Sequence, residues 1–212
     1  MKTKLSVGQR LFLAAYNPMF ATMFGWHQDA INEEYVRTYG VSGLLKFGKM
    51  IGDVLAVLGK RYGEAEANHI VGFAGLLNGC GFCGVGHNLT ANVLLFRDNG
   101  SIFPIDEQEI PRLQRLDDDD LMAEVESRLK GTKFEKELDL LQRMYALRSE
   151  NAEGTTEEDT YLLLALDMWL VNNECTIKIG LDIEPEEVPI FAKFSRDSEL
   201  YARYREARSQ GE

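Results

Sequence analysis

The chain has 212 residues, 45% of them hydrophobic and 27% charged, with a formal net charge of −11. That length and balance suit a single packed domain spanning 1–212, and the acidic excess without a basic stripe argues against nucleic acid and anionic membrane surfaces as partners. Three cysteines are too few for a secreted disulfide scaffold. They suit a reducing, cytoplasmic compartment, where a disulfide is transient and catalytic.

In chain order, Lys2 and Lys4 precede a partly apolar stretch, 11–24, which Asn17 and Pro18 interrupt. It is neither a clean signal segment nor a membrane span. His27, beside Trp26 and near Phe24, reads as structural. Ser42 is placed to cap a helix carrying Leu44, Leu45, Phe47, Ile51, Val54, Leu55 and Leu58, mostly three and four apart, with Gly59 and Gly63 bracketing its end. Further helices are expected over 64–77 and 80–96, a turn over 98–101, and a short helix over 106–115 that Pro111 limits.

The four acids Asp117 to Asp120 read as the acidic first turn of a helix over 121–129 rather than as metal ligands. Thr132 and Glu135 have the spacing of a capping box ahead of a helix through Phe134, Leu138, Leu141, Met144, Tyr145 and Arg148. A polar loop, 151–156, leads into a helix bearing Tyr161 to Val171, and Pro185 and Pro189 punctuate a turn before a last helix over about 195–208. No alternating strand pattern stands out, so the expected fold class is all-α. The 161–171 segment is apolar on nearly all faces, as at a core or subunit contact. A faint echo links 69–80 with 164–175, both apolar and ending in Asn-x-Cys, and places Cys175 in a buried position outside the site.

The motif with the most chemistry is Asn78-Gly79-Cys80-Gly81-Phe82-Cys83-Gly84-Val85-Gly86-His87, a C-x-x-C-x-x-x-H pattern. If a helix starts at Cys80, then Cys80, Cys83 and His87 share one face. Thiols three apart on a helix are within disulfide range, and His87 lies one turn beyond Cys83, within reach of its proton. The helix dipole favours Cys80 as the thiolate, whereas the neighbouring base favours Cys83. Glycines 79, 81, 84 and 86 are expected to leave the sulfurs open to a small oxidant. A zinc site competes with this reading, but it needs a fourth ligand, His69 or Cys175, from elsewhere. A thioredoxin-like site would need a preceding strand. His69 reads first as a hydrogen-bonded helical residue and second as a relay candidate.

The run Asn78 to Cys83 with His87, after an apolar helix, resembles the signature of the alkylhydroperoxidase D and carboxymuconolactone decarboxylase superfamily, in its cysteine-bearing peroxidase branch. The resemblance is sharp over 64–96. It implies a multi-helix bundle, a homo-oligomer (a trimer or a hexamer built as a dimer of trimers), and a thiol peroxidase or disulfide-exchange cycle. By the family pattern Cys83 attacks a peroxide, Cys80 resolves the sulfenic acid, His87 relays the proton, and an external dithiol, such as a lipoyl protein, reduces the disulfide. No cofactor or resident metal is implied. Two positions depart from the family. Asn68 stands where the relay glutamate is expected, with Glu64 and Glu66 nearby but out of register, and Phe82 replaces a histidine often found between the cysteines. The relay candidates are therefore Asn68, His69 and Glu66, and a neutral amide at 68 implies a weakened relay. The alternatives are a non-peroxidatic relative that binds a small molecule, and a structural zinc protein.

Overall fold

Helices α3 (Glu64–Leu77) and α4 (Gly81–Asn99) form the centre of the molecule. They are buried without a break from His69 to Leu77 and from Cys83 to Leu94. Glycines let the two backbones approach. A Cβ on Gly72 would lie 2.6 Å from the Asn88 side chain, and one on Gly75 would lie 2.8 Å from the Cys83 Cβ. No side chain larger than hydrogen fits there without displacement.

The computed structural model describes residues 4–149, 152–179, 188–191 and 197–210, with 171–173 and 176–179 as backbone only. Among these residues all regular structure is helical, in agreement with the all-α expectation. The remaining elements are α1 (Val7–Phe24), α2 (Asp29–Tyr62), a 3-10 turn (Glu107–Glu109), α5 (Ile110–Leu113), α6 (Asp118–Leu129), α7 (Glu135–Arg148), α8 (Glu157–Ile179) and α9 (Ser198–Gln210). Helices α2, α7 and α8 pack on α3, while the 3-10 turn, α5 and α9 pack on α4, and α1 lies on α2. Trp169 pins α8 to the centre by donating its indole N–H to the Val71 carbonyl at 2.8 Å. No helix among the described residues is long and apolar enough to cross a membrane.

Local chemistry sets the helix ends. The Ser6 hydroxyl accepts the Gln9 N–H while the Gln9 side chain accepts the Ser6 N–H, a capping box that starts α1. The Asp117 carboxylate caps α6 at Asp120 N–H, as the acidic run implies. At the start of α8, the Thr156 hydroxyl accepts the Asp159 N–H, and the Asp159 carboxylate accepts from Thr155, Thr156 and Arg143. The Arg143 guanidinium holds the Asp159 carboxyl well below the usual carboxylate range.

The structure differs from the sequence reading at several places. The helix expected to begin near Ser42 belongs to the longer α2, broken at Gly40, whose φ of 72° only glycine adopts cheaply. Helix α1 was not anticipated. The Thr132–Glu135 capping box does not form. The Thr132 hydroxyl donates to the Leu129 carbonyl and accepts the Phe134 N–H, so it closes the end of α6 while α7 begins at Glu135. Within the single chain, helix α8 buries Leu162, Ala165, Leu166, Met168 and Trp169 and leaves Leu164 and Leu170 exposed, which is compatible with the expected core or subunit contact. Pro185 and residues 195–196 lie outside the described residues.

Candidate redox site

The turn between α3 and α4 is three residues long, and its geometry places the cysteines. Asn78 ends α3, with its side chain donating to the Leu166 carbonyl on α8 at 2.8 Å. Gly79 has φ 76°, a left-handed conformation that reverses the chain. The Cys80 N–H then returns to the Gly75 carbonyl at 2.8 Å, and the Cys80 carbonyl accepts the Gly84 N–H at 2.9 Å. Cys80 is thus the N-cap of α4 rather than a residue of its first turn. Cys83 sits one turn on, and the two form a disulfide with a Cα–Cα separation of 5.4 Å. Both cysteines are 1% exposed.

The glycines do not leave the sulfurs open, contrary to the sequence expectation. Neighbouring chain fills the space they leave. Gln114 lies over Gly81 and donates to the Gly79 carbonyl at 2.7 Å, Ile110 lies over Gly84, and the Phe191 ring occupies the place of a Gly86 side chain. Phe191 is held there by its own N–H, donated to the Thr90 hydroxyl at 2.8 Å.

His87 is in the same neighbourhood. Its ring lies between those of Trp169 and Phe191, with centroids 5.3 and 5.0 Å away. Its Nδ1 is 2.8 Å from the Asn68 Oδ1. The Asn68 amide nitrogen donates to the Glu64 carbonyl, so its oxygen faces the ring. An amide oxygen only accepts, so His87 carries its proton on Nδ1 and keeps a lone pair on Nε2. Burial pushes the His87 pKa down to about 3, and the imidazole is neutral at pH 7.

Of the three relay candidates, the structure brings Asn68 alone to His87. His69 Nε2 bonds to the Asn92 Oδ1 at 3.0 Å, and its ring stacks on Phe103 at 4.0 Å. Asn92 in turn donates to Glu107, which accepts from Tyr204 and Arg205, and Tyr204 accepts from Arg208. This chain of bonds ties α3, α4, the 3-10 turn and α9 together and does not involve Cys83 or His87. Glu66, itself largely covered, pairs with the exposed Lys136, 3.2 Å away. His27 is not structural in the sense expected, since its side chain is exposed beside Asp29. Cys175 is buried and outside the disulfide. Among the described residues no group of three His, Cys, Asp or Glu side chains is arranged to hold a metal ion.

A cavity of about 390 Å³ connects this cluster to the surface between α1 and α2. Cys83 and His87 line its buried end, and Cys80 does not line it. The walls are mainly aromatic and aliphatic, including Phe20, Trp26, Phe47, Phe82 and Phe191. At the rim Met19, Met23, Phe24 and Leu45 are all at least 40% exposed. Lys49, paired with Asp53 at the surface, is the only charged side chain among the described residues that line the cavity.

The sequence reading missed α1 and its part in this wall. The signal was available in Phe12, Tyr16, Phe20 and Phe24, which recur every four residues, and in the structure each ring meets the next. No family model matches this chain, and no curated protein or solved structure matches it either.

Proposed function

We propose that this chain is a cytoplasmic thiol oxidoreductase of the alkylhydroperoxidase D type, acting on an organic hydroperoxide or a related small molecule. The observation that carries the reading is the placement of one sulfur of a closed Cys80–Cys83 pair, together with a neutral, amide-held imidazole, at the buried end of an apolar cavity.

In the reduced protein, His87 Nε2 would accept the Cys83 thiol proton. The Cys83 thiolate attacks the distal peroxide oxygen, the O–O bond breaks, and the leaving alkoxide takes a proton to depart as the alcohol. Cys83 is then a sulfenic acid. The Cys80 thiolate attacks its sulfur, water leaves, and the Cys80–Cys83 disulfide forms. An external dithiol, such as a lipoyl group, restores both thiols through a mixed disulfide and is itself oxidised. Cys83 takes the attacking role because it, and not Cys80, faces the cavity. Asn68 orients His87 but supplies no negative charge to stabilise an imidazolium, so the base is weak and turnover slow.

A homo-oligomer, trimeric or hexameric, fits the apolar side chains left on the surface, among them Leu11 on α1 and Leu170 on α8. Light scattering tests this, and a 24 kDa monomer at micromolar concentration would remove it.

The enzymatic test is a coupled assay with dihydrolipoamide as reductant. Cumene hydroperoxide should be consumed faster than hydrogen peroxide, because the cavity rewards an apolar body. No consumption of either would count against the reading. The size of the cavity also favours a second reading, a non-peroxidatic binder of a small apolar molecule. Inert thiols together with a copurified apolar ligand would select it.

A further inference from the structure

The His87 ring has one hydrogen-bonding atom that the folded chain does not use. Asn68 accepts the Nδ1 proton, and the Nε2 lone pair meets no donor among the described residues. The Trp26 Nε1 is covered completely by protein, so no ligand reaches it; the His87 Nε2 is not covered in this way. His87 is 3% exposed and lines the buried end of the cavity, which is therefore the space its nitrogen opens onto. A nearly buried acceptor without a donor is rare, because burial strips it of water without replacing that bond.

The surroundings hold a water molecule poorly. The rings of Trp169 and Phe191 flank the imidazole, and the Trp169 N–H is already donated to Val71. An ordered buried water makes about three hydrogen bonds, and one bonded to Nε2 would meet aromatic rings on either side. The Tyr16 hydroxyl also lines the cavity and has no partner in the chain, but it is only half-buried, so solvent serves it. No carboxylate of the described residues lines the cavity, so a cation finds no counter-charge there. Burial holds the His87 pKa at about 3, so near neutral pH the ring carries no charge to attract an anion. The volume of about 390 Å³ falls in the range of small-molecule sites.

We propose that this cavity recognises neutral, mostly apolar molecules by a terminal O–H that donates to His87 Nε2, and that the disulfide form therefore binds apolar alcohols. The site rests on the redox reading only for its natural occupants, an organic hydroperoxide before the reaction and the corresponding alcohol after it. Both carry the donor, whereas a ketone of the same shape does not. His87 thus selects the head group as well as serving as the base, and the alcohol product competes with incoming hydroperoxide.

α-Methylbenzyl alcohol, acetophenone and ethylbenzene share one carbon skeleton and carry, in turn, an O–H donor, an acceptor alone, and neither. The protein is used in its disulfide form, so no thiol chemistry intervenes. The chain has three histidines, and His27→Gln and His69→Gln assign two of the imidazole ¹⁵N signal sets, leaving His87 as the third. The alcohol should move the His87 Nε2 resonance upfield, the direction that accepting a hydrogen bond gives, while the other two probes leave it in place. His69, whose Nε2–H is bonded to Asn92, should not respond.

The alcohol should bind about three- to ten-fold more tightly than the ketone, the size of one neutral hydrogen bond. His87→Phe keeps a ring, removes the acceptor and should erase that preference. Equal or weaker binding of the alcohol, an Nε2 signal that ignores it, a preference kept in the folded variant, or no binding of any probe would overturn the proposal. If the variant does not fold, the wild-type shift alone decides. None of the probes is an oxidant. A failed peroxide assay therefore leaves an alcohol preference standing, and a failure here beside intact turnover rejects recognition by Nε2 while leaving the redox reading.

Discussion

His69 and His87 lie on the paired helices α3 and α4, both almost fully buried, yet their surroundings differ in kind. Both are held by an asparagine, and the two amides select opposite tautomers. Asn92 spends its nitrogen on Ile105 and Glu107 and so accepts from His69 Nε2. Asn68 spends its nitrogen on Glu64 and accepts from His87 Nδ1. Beyond Asn92 the bonds continue through Glu107 to Tyr204, Arg205 and Arg208, which fasten α9 to the core. Beyond His87 there is a cavity. The first histidine belongs to a charged brace; the second lies at the end of a cavity that Cys83 also lines.

The largest expected effect separates the two regions by chemistry. Cys83→Ser should abolish peroxide consumption, and Cys80→Ser should allow a single reaction with no recycling, read by peroxide loss per protein. If Cys80→Ser alone removes the first reaction, the assignment of the attacking thiol is reversed.

On the brace side, Glu107→Ala should lower stability by about 3 kcal/mol, measured in urea, because it leaves Arg205 and Tyr204 without their buried acceptor. The rate of thiol oxidation under folded conditions should stay within two-fold of wild type. A large loss of rate in the folded variant would mean that the two regions are coupled.

The pH dependence of stability joins the two histidines. Burial holds His69 at about 4 and His87 at about 3, below the ordinary 6.5. As pH falls below 6.5 the unfolded chain takes up protons that the folded chain refuses. Their full contribution is present above that pH and is lost as it falls towards 4 and then 3. Each contributes a slope of up to about 1.4 kcal/mol per pH unit. Replacing either by glutamine should flatten the urea-midpoint profile in this window, and an unchanged profile would contradict the burial argument.

A smaller effect concerns the base itself. Asn68→Glu would place a carboxylate against His87 Nδ1, favour the imidazolium, and raise the histidine pKa. Thiol oxidation at pH 7 should then speed up by about ten-fold or less. A slower variant would mean that the amide is the better partner in this dry setting.

Much of the central architecture was legible because it depends on local signals. The helix boundaries at 64 and 77 follow from glycine and asparagine flanking an apolar run, and the three-residue spacing brought Cys80 and Cys83 within disulfide reach although Cys80 is the N-cap rather than a helical residue. What escaped the sequence depends on distant chain. Residue spacing alone does not reveal that Phe191 fills the gap above Gly86, nor that Asn92 rather than the redox cluster takes His69. The openness expected from the glycines failed for the same reason, since a missing side chain is an invitation to pack as much as an opening. Helix α1 was overlooked because Pro18 obscured an aromatic repeat that four-residue spacing would have revealed.

Rapid oxidation of the pre-reduced protein by one equivalent of cumene hydroperoxide tests the central claim most directly, with disulfide formation followed by mass spectrometry in wild type, His87→Ala and His69→Gln. The account predicts a Cys80–Cys83 disulfide in wild type, about ten-fold slower formation in His87→Ala, and a rate within two-fold of wild type in His69→Gln. Thiols that stay reduced in the wild type, or equal slowing in both histidine variants, would contradict it.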